Sequence, residues 1–305
     1  MYENERKVLI TGASGFIGRN IAREYANNGW YIIGMGHGNW LDWQAFGIAE
    51  WHCCDITLET LIQYASNPDI IIHCAGGSSV GLSVTDPYFD FTKTVDTMAQ
   101  VLEFMRLHAP EAKLVYPSSA AVYGQVDHLP ISENTPLLPI SAYGTYKLMA
   151  EQICKLYAKN YNLSIIIVRL FSIYGDGLKK QLLWDACNKL SAGETEFFGT
   201  GEEIRDWLHI DDTTSLITLA AEHASVDCPI INGGSGEGVS TKIILQILAT
   251  KLGIHLIPVF SSKPKIGDPN AYIADMQIAE QWGWKPKRDL QTQISTYVEW
   301  YRQCT

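Results

Sequence analysis

A chain of 305 residues, 47% hydrophobic and 18% charged, has the make-up of a globular protein with a sizeable core, and its length suits one large α/β unit or two intimately joined domains. The net charge of −10 speaks against nucleic acid as a partner, because a phosphate backbone calls for a basic face. No apolar run is long enough for a membrane span or resembles a secretory leader, and seven scattered cysteines suit reduced thiols, so a cytoplasmic protein with no membrane partner is expected.

Lys7 to Ile10 reads as a buried parallel strand, and Thr11-Gly12-Ala13-Ser14-Gly15-Phe16-Ile17-Gly18 leads from it into a helix. Strand, glycine loop and helix form the context in which such a loop binds a dinucleotide: the glycines allow the turn, and the helix N-terminus faces the pyrophosphate. Gly12, Ser14, Gly15, Phe16, Ile17 and Gly18 are the candidate contacts. A second strand, Tyr31 to Met35, ends in Gly36-His37-Gly38-Asn39. An NAD site usually has a carboxylate here for the ribose 2′-hydroxyl. Its absence leaves room for a 2′-phosphate beside His37, Asn39 or Arg19, and tilts the cofactor from NAD(H) to NADP(H).

Glu50 to Thr57 reads as a third strand ending at Asp55, which could also cap the helix expected from Leu58. The cluster His52-Cys53-Cys54-Asp55 is not expected to hold a metal, because adjacent strand residues point to opposite faces and no second ligand cluster follows. A fourth strand runs into Cys74, Ala75 and Gly76, small residues that let a ligand approach the backbone, and its His73 is expected to be buried and hydrogen-bonded. Beyond it, Ser78 to Ser83 forms a polar loop where open α/β sheets bind ligands. Asp86 caps and Pro87 opens a helix expected to continue through Leu107.

The fifth strand, Lys113 to Tyr116, delivers Pro117-Ser118-Ser119 to the same sheet edge, where a hydroxyl can meet a substrate oxygen. On the next helix Tyr143 and Lys147 stand at i and i+4, on one face. Of fifteen tyrosines only Tyr143 has a lysine four residues on. A neighbouring ammonium favours the phenolate, so the expected shift of the Tyr143 pKa is downward, toward a general acid/base.

The glycine pattern, Ser119 and the Tyr143/Lys147 pair occur in that order, followed by two further motifs. Arg169 to Gly175 is similar to an R-x-x-N-x-Y-G-P segment, with Ser172 and Asp176 in place of asparagine and proline, and Arg205-Asp206-Trp207-Leu208-His209-Ile210-Asp211-Asp212 matches R-D-[FW]-x-x-[VI]-D-D. With these motifs the chain resembles, over essentially its whole length, the extended short-chain dehydrogenase/reductases, the nucleotide-sugar epimerase/dehydratase family.

The resemblance implies a Rossmann-type doubly wound parallel sheet over residues 1–172, with a returning segment near 209–233. A smaller nucleotide-sugar-binding domain would take 173–208 and 234–305. It implies Ser119, Tyr143 and Lys147 as the catalytic set, and cofactor contacts from His37, Asp55, Ile56, Cys74, Ala75, Gly76, Pro117, Phe171 and Ile173 besides the glycine loop. Substrate contacts would come from Ser79, Val80, Ser119, Ser172, Gln181, Leu182, Arg205 and Asp268, with Arg205 on the diphosphate. Relatives pair the helices beginning at Asp86 and Ala142 into a four-helix bundle, so a homodimer is expected. Where relatives carry an asparagine on the first of these helices, this chain has Thr94-Val95-Asp96.

Dehydratases of the family need an Asp-Glu pair after the serine, and Ala120-Ala121 stands there instead. Two hydride-transfer outcomes remain. Reduction of a 4-keto, 6-deoxy nucleotide sugar by NADPH is favoured by the missing carboxylate after the second strand. The alternative is an NAD-dependent nucleotide-sugar 4-epimerase, which the loop at Ser79 to Val84 resembles. A silent dinucleotide sensor is the third reading, disfavoured by the full Ser/Tyr/Lys set.

Overall fold

The computed structural model describes residues 6–78, 80–255, 257–262 and 269–305, so Ser79 and Asp268 lie outside the described residues. The strands are β1 (Lys7–Thr11), β2 (Tyr31–Gly36), β3 (Glu50–Cys53), β4 (Ile70–His73), β5 (Lys113–Ser119), β6 (Ser164–Leu170), β7 (Ser172–Tyr174), β8 (Glu196–Phe197), β9 (Ile204–His209), β10 (Ile230–Gly233), β11 (Gly238–Ser240) and β12 (Val259–Phe260). The helices are α1 (Phe16–Asn27), α2 (Leu58–Tyr64), α3 (Val80–Thr85), α4 (Pro87–Phe91), α5 (Thr97–His108), α6 (Ala142–Tyr161), α7 (Gln181–Ser191), α8 (Ile210–Glu222), α9 (Thr241–Leu252), α10 (Gln277–Gln281) and α11 (Leu290–Cys304).

The chain divides into two compact units. The first comprises Met1–Gly124, Pro136–Arg169 and Thr214–Ile231, and the second Gln125–Thr135, Leu170–Thr213 and Asn232–Thr305. A seven-stranded sheet in the order β10-β6-β5-β4-β1-β2-β3 forms the centre of the first. β1 pairs in parallel with both β2 and β4, Val8 lying opposite Ile32 on one side and Ile70 on the other. The order reverses between β1 and β4, which makes that gap the switch point of a doubly wound sheet. Val8, Leu9, Ile10, Ile32, Ile33, Ile71 and Ile72 are fully buried. Unbroken apolar runs of this kind belong to strands covered on both faces, and each such side chain contributes about 2 kcal/mol of burial.

One expected helix is locally rewound. The segment from Pro87 to His108 contains a π-helical turn, Thr92–Asp96, between α4 and α5. Asp86 accepts from the Phe89 amide and caps α4, with Pro87 at its first position. Asp55 does not cap α2. That place belongs to Thr57, in a reciprocal capping box with Thr60.

The second unit carries the sheets β11-β9-β7 and β12-β8. Its core joins α7, α9 and α11 through Leu183, Leu190, Ile244, Leu248, Ile294 and Tyr297. Asp206 of the arginine–aspartate signature is fully buried on β9. It accepts the amides of Ser235 at 2.5 Å, Gly236 at 3.0 Å and Ala274 at 3.0 Å. Asp212 accepts those of Lys287 and Arg288 at 3.1 and 2.9 Å. Both acids are structural clamps. Among the described residues no helix is long and apolar enough to cross a membrane.

Candidate active site

The glycine loop occupies the carboxyl end of β1. Gly12 has φ of +67°, its amide donates to Met35 O at 2.7 Å, and a Cβ there would stand 2.7 Å from Ala75 N. Only glycine fits between two strand ends in that conformation. Gly15 precedes α1 and offers no side chain to its amides, which leaves the first turn open to an anion. Ser14 Oγ donates to His37 O at 3.2 Å, joining the loop to the end of β2. These residues fit the pyrophosphate of a dinucleotide.

At the neighbouring strand ends His37 Nε2 and Lys93 Nζ lie 3.1 and 3.4 Å from Asp55 Oδ1, and 3.1 Å from each other. Asp55 is thus brought to the end of β2, where the sequence lacks a carboxylate. Lys93 is a member of this cluster that strand-by-strand reading missed, because it reaches the site from the π-helical turn. Ile56, the next residue in the chain, is buried.

β4 ends in His73, whose Nδ1 lies 2.7 Å from Thr11 Oγ1 and whose Nε2 lies 3.4 Å from Thr97 Oγ1. Burial, then the charge of Lys147, pushes its pKa down to about 3, so the ring is neutral and structural. Cys74 follows, its thiol pushed up to about 12 by burial. The Ala75 amide donates to Thr11 Oγ1 at 3.3 Å.

β5 delivers Pro117 and Ser119, and α6 delivers Tyr143 and Lys147. Lys147 is buried, its Nζ donating to Pro117 O at 3.4 Å and standing 5.0 Å from the Tyr116 ring centre. It also stands 5.9 Å from the Tyr143 ring centre. Burial lowers its pKa to about 8, although Cys74, Asp90 and Glu151 pull the other way. Ser119 Oγ accepts from the Ala121 amide at 3.2 Å and is hydrogen-bonded to the Tyr143 phenol.

The Tyr143 pKa moves opposite to the expected direction. Burial raises it, the Ser119 hydrogen bond opposes that shift, and the carboxylate of Asp90 adds to it. The i, i+4 spacing does bring the lysine to the phenol's face, but loss of water is the largest influence on the phenol.

The set is held in place by a buried network. Ser118 Oγ donates to Glu151 Oε1 at 2.6 Å, and Arg169 Nη2 donates to Glu151 Oε2 at 2.7 Å with Nε at 3.1 Å from Oε1. Arg169 Nη1 also donates to Tyr123 Oη at 3.1 Å. β5, α6 and β6 are tied together one residue from Ser119 and one helical turn from Lys147. Tyr143 N donates to Ser83 Oγ at 3.1 Å, which joins α6 to α3 behind Val80.

In the second unit Phe171, Ser172 and Ile173 lie at the start of β7, and Arg205 on β9 donates from Nη1 to Ile204 O at 2.8 Å. Gln181 opens α7 with φ of +68°, a strained conformation for a residue with a side chain, and Leu182 follows it.

A family model described as NAD dependent epimerase/dehydratase family matches residues 8–233. The chain belongs to this family. It is 30% identical over 315 residues to the UDP-glucose 4-epimerase of Corynebacterium glutamicum, covering 96% of this chain and 94% of that one. A crystal structure of UDP-glucose 4-epimerase with UDP-glucose from Thermotoga maritima has a TM-score of 0.89 at 25% identity, over 98% of this chain and 99% of the other. UDP-glucuronic acid 4-epimerase from Bacillus cereus, in complex with UDP-glucuronic acid and NAD, gives 0.89 at 25% identity, over 98% and 100%. The shared family architecture is the doubly wound sheet already described.

Asp90 is a buried residue beside Lys147 and Tyr143 that sequence reading passed over. It is buried on α4 against Gly77, where an added Cβ would overlap its Oδ1. Its only sequence signal is an acid on the inward face of an otherwise apolar first turn, Pro87-Tyr88-Phe89-Asp90-Phe91.

Proposed function

We propose that the protein is an NAD-dependent 4-epimerase acting on a UDP-hexose. The observation that carries this reading is the full-length likeness to proteins named as UDP-sugar 4-epimerases, on a chain whose Ser119, Tyr143 and Lys147 converge at one sheet edge. The same likeness moves the reading from the 4-keto-sugar reductase to the epimerase, and from NADP(H) to NAD(H). Asp55, drawn to the end of β2 by His37 and Lys93, supports NAD, since a carboxylate there repels a 2′-phosphate.

In this reading the first unit binds the dinucleotide, with the pyrophosphate on Gly12 to Gly18 and the nicotinamide ribose near Lys147. The second unit binds the nucleotide sugar, with Arg205 as the diphosphate ligand, because guanidinium matches phosphate with several donors. When bound, NAD supplies a ring that takes the hydride from the sugar C4 and returns it to the other face. Tyr143 takes the proton of the 4-hydroxyl and gives it back to the 4-keto oxygen. The Ser119 hydroxyl orients that oxygen, and Lys147, charged below about pH 8, stabilises the phenolate. With Ala120-Ala121 after Ser119, no carboxylate follows the serine to eliminate water.

The reading is tested by incubating the purified protein with UDP-glucose or UDP-glucuronic acid and no added nicotinamide cofactor. Appearance of the C4 epimer is expected. Turnover that starts only when NADPH is supplied to a 4-keto sugar nucleotide would overturn it in favour of the reductase.

A further inference from the structure

Asp90 is 3% exposed, yet its Oδ2 has no hydrogen-bond partner among the described residues. A buried carboxylate without such a partner is costly, and in a protein interior it is tolerated where opposite charge faces it. Its surroundings are built for it. Gly77 gives up its Cβ space to Oδ1, and the Gly77 amide donates to Thr94 Oγ1 at 2.9 Å, one turn along the same helix face. A Cβ at Gly76 would lie 3.6 Å from Thr94 Oγ1 and 3.8 Å from Lys147 Nζ, so the acid, the threonine and the ammonium share one small space beside Gly76-Gly77.

We propose that Asp90 is a third ionisable member of the proton-transfer site, a positioning residue whose buried carboxylate sets the pH range over which the Tyr143 phenol and the Lys147 ammonium hold their working protonation states. The groups that face it are Tyr143 and Lys147 on α6 and Tyr116 on β5. Asp86 caps the start of its own helix, and Lys93 is turned away to Asp55 and His37. Glu151, also acting on Lys147, is already bound by Arg169 and Ser118. Cys74 is held as the neutral thiol.

A negative charge on Asp90 keeps the ammonium protonated to higher pH and makes the phenolate harder to form. Both effects raise the working range. The residue makes no bond to the substrate in this account. The inference rests on the reading of Tyr143 as the acid/base of the family reaction.

The test is Asp90→Asn, which keeps the shape and removes the charge, in the full chain with NAD. The pH profile of kcat/KM on the UDP-hexose that the wild type turns over should move as a whole to lower pH, by about one unit. A purely structural role lowers the profile without moving it. Thermal melts of the cofactor-free chain supply a second readout that needs no substrate. The Asp90 pKa is raised by burial, so the wild type loses stability as pH rises through the folded-state value, while the asparagine does not. The melting temperature of the variant relative to the wild type should therefore rise between pH 4 and pH 8, by about 2 °C, whatever the constant offset left by the loss of the charge facing Lys147. A pH profile that keeps its position, or a melting-temperature difference between variant and wild type that is the same at pH 4 and pH 8, overturns the proposal. Should the wild type convert no UDP-hexose, the epimerase reading fails while the melts still decide whether Asp90 is a buried charge.

Discussion

Tyr143 carries the proton chemistry of the account, so its removal has a defined signature. Tyr143→Phe should lower kcat by about 10²- to 10⁴-fold and leave the affinity for NAD, measured by calorimetry, within about twofold. An unchanged kcat would take the phenol out of its role. Lys147 sets a second expectation, because burial brings its pKa down to about 8. It binds its proton below that value and loses it above, so the alkaline limb of kcat/KM should have its midpoint near 8. Lys147→Met should abolish that limb along with most activity. An unshifted lysine, with a limb near 10 or none at all, would mean that the ammonium is not desolvated as its contacts with Pro117 and Tyr116 require.

At the scale of elements, the site depends on β5, α6 and β6 keeping one register, and Glu151 with Arg169 fixes it. Both are buried, with a bidentate pair between them and Ser118 and Tyr123 filling the remaining sites. Removing one partner strands the other charge. Glu151→Ala should cost about 3–5 kcal/mol in a denaturant melt, whereas Glu194→Ala, at an exposed loop acid, should cost under about 1 kcal/mol.

This network also shows where sequence reading stops. The strands β1 and β4 were legible because parallel strands covered on both faces are written as unbroken runs of Val, Ile and Leu. Gly12, Ser119, Tyr143 and Lys147 were legible because their chemistry is tied to strand ends and to a four-residue spacing. The pairing of Glu151 with Arg169 and the burial of Asp90 were not, since an acid or an arginine on a helix or strand looks the same in sequence whether solvated or buried. The direction of the Tyr143 shift was misjudged for a related reason. Spacing reports a neighbouring charge but not the loss of water, and here the loss of water dominates. The cap of α2 passed from Asp55 to Thr57 because Asp55 is drawn to His37 and Lys93 instead.

For the whole molecule, the first unit leaves Val84, Tyr88 and Phe89 exposed around α3 and α4, and Met149 and Leu156 exposed seven residues apart on α6. Large apolar side chains at helical spacing on neighbouring elements are the composition of an interface. We propose a homodimer through these helices. Leu156→Glu should turn a dimer into a monomer in light scattering at micromolar concentration. A wild type that is monomeric throughout would remove the proposal.

The central claim is that the hydride leaves C4 of the sugar and returns to C4 without leaving the protein. UDP-glucose carrying deuterium at C4, incubated with the purified protein and an excess of unlabelled NADH in solution, tests it most directly. The account predicts UDP-galactose that keeps its deuterium at C4. Product carrying protium at C4, with the label appearing in the free nicotinamide pool, would contradict it.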